Sequence, residues 1–420
     1  MRAWPLLLLL PTALFAQDDL WEDDDWEEEE SGLVWGGFVE TGLGTRFNDD
    51  SLVASRNTLE DIRWRFETEW QLNRYTIGLK ADAGYDGIEN EWFGDLRDLS
   101  VEFTLGESTD LSIGRQVQTW GTGDLVFLND LFPKDFQSFF SGRDDEYLKA
   151  PGDAIRLTRY SPKVNVDFVW TPVFEHDVYL TGERYSFFSP IAGGNVAPKF
   201  TALEPDKSLA NGEFALRLFR TVEGREYALY GYRGFFKQPS ALTTSFEPTF
   251  APMSAIGASF RRPAGPGLFN AEVSYYDSRI DRNGTDPLIP NDQLRLLAGY
   301  EWEAKPNFTV GLQYYVEWTL DHDELVVNSP FPQYEPDEQR HLITNRLTWR
   351  AGMDKHTWSL FTFYSPSDND FYLRPQLTYR HSDQWSLSVG GNLFGGNTQH
   401  TFFNQLQDAS NAYLRIQYHY

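Results

Sequence analysis

The sequence predicts an all-β protein: a transmembrane antiparallel up-and-down β-barrel of about 18 strands, with 16 as the alternative count. Three observations carry that expectation. Apolar and polar residues alternate with period two in one stretch after another, up to the carboxyl terminus. Short turns and long loops take turns between those stretches. Finally, no apolar run reaches the roughly 20 residues that a spanning helix needs, and mean hydropathy is −0.48.

The chain begins with Arg2, an apolar run around Leu6 to Leu10, and then Ala13, Leu14, Phe15 and Ala16. That is the pattern of a signal peptide over 1–16, cleaved after Ala16. Residues 17–32 read as an acidic periplasmic leader, with ten carboxylates from Asp18 to Glu30 around Leu20, Trp21 and Trp26. Such a block repels itself and is expected to be disordered, or to serve as an arm for a basic periplasmic partner. The remainder, 33–420, is expected to be one barrel.

Period-two alternation gives each strand one greasy and one polar face, and the greasy face is assigned to outer-membrane lipid. The first strand is placed at 33–41. The second, 62–70, alternates Ile62, Trp64, Phe66, Thr68 and Trp70 with Arg63, Arg65, Glu67 and Glu69. The third, 75–85, puts Lys80 and Asp82 on the polar side, and the fourth, 99–105, puts Glu102 there. The fifth, 111–120, holds Arg115 on the wrong parity; a β-bulge would account for that, and Arg115 is counted among the candidate pore-lining residues. Arg156 follows on 154–160 and Asp167 on 164–170.

Later strands fall near 213–219 (Glu213, Arg217), 227–235, 254–261 (Arg261), 268–276 (Glu272) and 292–303 (Arg295, Glu301). They continue at 308–318 (Glu317), 340–350 (Arg346, Arg350), 356–364, 371–380 (Arg374), 385–394 and 412–420 (Arg415). These polar-side charges are the candidate pore-lining residues, and neither sign dominates. They pair across strands or orient a small polar or charged solute. Short turns at the periplasmic end and long loops outside place both termini in the periplasm.

The long stretch 121–153 is rich in apolar residues outside any strand pattern, from Leu125 and Phe127 to Phe139 and Phe140. Such residues are costly in water, so the loop is expected to fold into the barrel and narrow it. Asp124, Asp130, Lys134, Asp135, Arg143 and Asp144 are its candidate constriction residues.

Two stretches carry resemblances. The final strand alternates Leu414, Ile416, Tyr418 and Tyr420 with polar residues and ends on an aromatic. It resembles the C-terminal strand of Gram-negative outer-membrane barrels, which implies recognition by the barrel-assembly machinery. Gly114-Arg115-Gln116, continued by Trp120-Gly121, Asp130, Pro133, Asp135 and Pro151, resembles the alginate-export porins and related proteobacterial outer-membrane barrels. That resemblance implies an 18-stranded porin, with export of an acidic polysaccharide as the narrower alternative. A scaffolding barrel around a periplasmic partner is the third reading.

Other classes are set aside. A net charge of −26, from 62 acidic and 36 basic residues, argues against nucleic acid as a partner. Without cysteine the chain has neither a disulfide framework nor a lipid-anchored cysteine. The seven histidines are scattered and none lies in a nucleophile motif, so no enzyme and no cofactor is expected. Asp321-His322-Asp323-Glu324 is read as a solvated acidic loop rather than a metal site.

Overall fold

The computed structural model describes residues 33–72 and 74–420, so the expected signal peptide and acidic leader lie outside the described residues. Among the described residues seven strands come first: β1 (Leu33–Arg46), β2 (Asn57–Leu72), β3 (Tyr75–Asp86), β4 (Glu91–Thr104), β5 (Thr109–Val117), β6 (Pro151–Arg159) and β7 (Asn165–Thr171). A small hairpin of β8 (Phe187–Ser189) and β9 (Gly194–Val196) decorates the next loop. Then come β10 (Glu213–Val222), β11 (Arg225–Phe235), a second small hairpin of β12 (Ala241–Leu242) and β13 (Pro248–Thr249), and β14 (Pro252–Ala264). The wall continues through β15 (Gly267–Ser278), β16 (Gln293–Lys305), β17 (Phe308–Thr319), β18 (Gln339–Ala351) and β19 (His356–Ser365). It ends with β20 (Asp370–Arg380), β21 (Trp385–Gly396) and β22 (Asn411–His419).

Apart from the two hairpins, these form one 18-stranded sheet. It closes on itself, because β22 pairs antiparallel with β1 through Thr41↔Ile416 and their neighbours. Closure removes the free edges a flat sheet of this size would expose.

The two parities separate cleanly. On β2, Ile62 and Trp64 are exposed on the outside while Arg63 and Arg65 are buried within. Outer aromatics gather near the short turns, where Tyr75 meets Phe103 at 5.1 Å, Tyr227 meets Phe260 at 5.0 Å and Trp385 meets Tyr418 at 4.9 Å. Such cross-strand ring pairs form the girdle of a barrel that crosses a bilayer.

Strand β4 begins at Glu91, eight residues before the start expected from alternation. A register shift explains the difference: Lys80 faces Asp98, Ala81 faces Leu96, and Arg97 is the extra residue. The bulge sends Arg97 and Asp98 to the same side, so the alternation read backwards from Leu99 fails there. The bulge expected at Arg115 is absent. Instead β5 keeps an unbroken register with both neighbours, Leu99↔Arg115 and Arg115↔Asp153.

Candidate functional site

The lumen is crossed by the segment between β5 and β6, residues 118–150. Its helix α1 (Phe136–Ser141) starts at Asp135, whose carboxylate accepts from the Ser138 backbone N–H. This local cap removes one unsatisfied donor at the helix start. The helix stops at Gly142 with φ 95°, a left-handed turn that favours glycine. A Cβ at that position would also lie 2.2 Å from the Tyr413 ring. The turn therefore both ends α1 and lets it sit flush on the wall. Phe139 and Phe140 pack there against Tyr372, with ring centroids 5.8 and 5.5 Å apart, and Phe140 reaches Phe394 at 5.5 Å. Buried Val126, Leu128 and Leu148 join Leu297, Tyr315, Leu342, Phe361 and Phe363 in the same cluster. The main apolar core thus lies inside the barrel, between loop and wall.

Charge fixes the rest of the loop. On one side Arg65 grips Asp82 with two hydrogen bonds, 2.7 and 2.9 Å, and reaches Glu146 at 2.7 Å. The Tyr147 hydroxyl donates to Asp82 at 2.8 Å and accepts from Arg65 at 2.8 Å. Its ring is flanked by the guanidiniums of Arg63 at 4.4 Å, Arg65 at 5.0 Å and Arg97 at 4.7 Å. Arg63 completes the group with an ion pair to Asp82 at 2.9 Å. Cation–π contacts of this kind strengthen when the cation is desolvated, as all three are here.

The adjoining wall, from β18 round through β22 to β1, holds the loop by its carboxylates. Asp124 accepts from Arg346 at 2.5 and 2.8 Å, and Asp145 from Arg374 at 2.7 Å. Arg415 lies between Glu40, at 3.2 Å, and Asp144, at 3.4 Å. Further round, Gly121 (φ 82°) turns the chain so that the N–H groups of Thr122 and Gly123 donate to Glu272. Gln313 brackets Asp124 with one bond to its N–H and one to its carbonyl.

Other expected site residues lie on the inward parity in local pairs. These are Arg156 with Asp167 (2.7 Å), Arg217 with Glu226 (2.7 Å), Arg295 with Glu317 (3.2 Å) and Lys80 with Glu67 (3.4 Å). Glu213 pairs with Lys237, and Lys134 with Asp130 at 2.9 Å. Glu102, Arg261 and Glu301 face inward near the short turns, away from the loop. Arg143 bonds Asp61 at 3.0 Å and Asp86 at 3.4 Å.

Arg115 is the exception and corrects the expectation that it lines the pore. It shares the outward parity of Ile113 and Val117, pairs with Asp153 at 3.1 Å, and reaches Glu175 at 3.5 Å. The physical reason is the unbroken register of β5: with no bulge, nothing turns the side chain inward.

Four contributing side chains escaped the sequence reading. Arg97 sits in a bulge that disguises its parity. Asp61, within β2, and Asp86, at the end of β3, lie beside Arg143, and each sits just outside the strands expected at 62–70 and 75–85. Arg184, from the loop after β7, bonds Asp86 and pairs with Glu89 at 3.4 Å. Nothing in the strand pattern points to it.

Glu146 makes this clamp sensitive to acid. Burial alone would raise its pKa, but the Arg65 guanidinium, with Lys80 and Arg97, more than offsets that and holds the carboxyl below its ordinary range. A depressed folded value means the contact is complete above the unfolded pKa of about 4.3 and is lost as pH falls through the lower folded one. Residues 143–149 are therefore expected to loosen below about pH 4. Hydrogen exchange of that segment is expected to rise between pH 6 and pH 3 beyond the intrinsic chemical change. In Glu146→Gln the excess is expected to be present at both pH values.

No family model matches the chain, and no curated protein matches its sequence. Solved structures do resemble it in fold. Against OccAB1 of Acinetobacter baumannii the TM-score is 0.54 at 11% identity, covering 94% of this chain and 98% of that one. OccAB2 of the same organism gives 0.54 at 12% identity, over 92% and 98% of the two chains. OccK11 (OpdR) of Pseudomonas aeruginosa gives 0.51 at 9%, over 92% and 95%. At such identities the likeness is one of barrel architecture.

Proposed function

We propose that the chain is a porin of the Gram-negative outer membrane, a channel and not an enzyme, passing small polar or charged solutes through a lumen narrowed by residues 118–150. The observation that carries this reading is the meeting of both charge signs at that loop, on Arg65, Arg346, Arg374 and Arg415 against Glu146, Asp124, Asp145 and Asp144. Ion pairs that bring both signs to a narrowed lumen present local dipoles, which orient dipolar and charged solutes. The apolar outer parity and its aromatic girdle suit outer-membrane lipid.

In this reading the short turns and both termini face the periplasm, and the long loops face outward. Tyr420 then supplies the terminal aromatic for the barrel-assembly machinery. The acidic stretch from Asp18 to Glu30 would meet a basic periplasmic partner on the same side. An exporter of an alginate-like polyanion calls for a positive lumen. Here the arginines nearest the loop face carboxylates, which favours small solutes of either sign.

Reconstitution into planar bilayers is the test. A stable, ohmic single-channel conductance is expected from the purified chain, and a folded preparation that inserts but never conducts would overturn the proposal.

A further inference from the structure

Above the charged waist, towards the long loops, lies a cavity of about 360 Å3 that the channel reading does not use. Phe127, Phe132 and Phe139 of the crossing loop line it on one side, with Phe236, Tyr276 and Phe403 on the other. Its mouth is marked by Ser240 and Phe402, both exposed. A volume of that size with mostly apolar walls is typical of a small-molecule site.

Ionised groups also border the cavity, and each is already matched. Lys134 bonds Asp130 at 2.9 Å and the Phe132 carbonyl at 2.8 Å. Asp177 accepts from the Lys134 N–H at 2.7 Å and from Gln238 at 2.8 Å. Arg295 pairs with Glu317 at 3.2 Å and covers the Tyr276 ring at 4.2 Å, while Lys237 pairs with Glu213. An anionic visitor would have to break one of these pairs, and Asp177, held by neutral donors, would repel it. An uncharged ring meets ring faces and edges and aliphatic side chains such as Leu131 and Met253, with Ser240 at hand for one hydroxyl.

We infer that this cavity is a binding site for compact, uncharged aromatic solutes bearing a hydroxyl, entered from the side of the long loops. The inference goes beyond the channel reading and does not depend on it.

Equilibrium dialysis of 2-naphthol against the chain in lipid nanodiscs, with empty nanodiscs as the blank, tests it. Saturable binding at one site per chain is expected, with 2-naphthoate weaker by about tenfold or more. Phe127→Ser removes a half-buried wall ring, and Ser240→Trp plugs the mouth from an exposed position. Each is expected to weaken 2-naphthol binding by at least about tenfold. Uptake equal to the blank, naphthoate binding as tight as naphthol, or full binding by Ser240→Trp would each overturn the inference. Chain that conducts yet binds no 2-naphthol sinks the pocket alone. Chain that binds it and never conducts sinks the channel alone.

Discussion

Replacing Asp82 with leucine is expected to lower the stability of the barrel by about 3–5 kcal/mol, the loss typical of breaking a buried ion pair by removing one partner. Asp82 is buried and serves Arg63, Arg65 and the Tyr147 hydroxyl at once. Without it, two guanidiniums and a phenol stay in a dry site with one acceptor fewer. Arg65 keeps Glu146, which limits the loss and sends the strain into the loop. The measurement is the urea midpoint of barrel unfolding in lipid. Glu67→Gln is the control: its contact with Lys80 spans 3.4 Å between side chains 47% and 35% exposed. Contacts so exposed contribute at most about 1 kcal/mol. Equal midpoints for the two variants would mean that the Asp82 cluster does not hold the loop.

The second large effect concerns ion selectivity. Converting both Asp124 and Asp145 to asparagine leaves Arg346 and Arg374 without their carboxylates while keeping hydrogen-bond acceptors in place. A unit charge about 4 Å from a passing ion is worth on the order of 1 kcal/mol in water, and more in a confined lumen. Each neutralised carboxylate is therefore expected to shift the permeability ratio towards anions by roughly fivefold or more. Reversal potentials under a salt gradient read this directly. The reciprocal pair, Arg346→Gln with Arg374→Gln, is expected to move the ratio towards cations. Shifts of the same sign in both variants would show that ions pass elsewhere.

How much of this was legible beforehand depends on how local the signal is. Period-two alternation is a property of neighbours in sequence, so every wall strand announced itself, from Ile62 and Arg63 to Tyr418 and Gln417. Boundaries failed where the backbone departs from strict alternation. The Arg97–Asp98 bulge hid the first half of β4, and at Arg115 a bulge was invoked that the register does not contain. The apolar content of residues 121–153 pointed to burial, and the segment packs on the inner wall over 118–150. Which carboxylate meets which arginine was out of reach. Closure joins partners as distant as Asp124 and Arg346, 222 positions apart, and draws Arg184 in from a loop with no periodic signal. The apolar cavity was equally hidden, since its walls come from the crossing loop and several strand ends at once.

The central claim is that one strand parity meets hydrocarbon and the other encloses water. The natural chain has no cysteine, so single cysteines report on it without background. Glu67→Cys and Phe66→Cys, adjacent on β2, are the most direct pair. In liposomes, a charged thiol reagent is expected to modify Glu67→Cys rapidly and leave Phe66→Cys untouched. A fluorophore attached at position 66 before reconstitution is expected to be quenched by brominated lipid. Rapid aqueous labelling at 66 with protection at 67 would contradict the assignment and everything built on it.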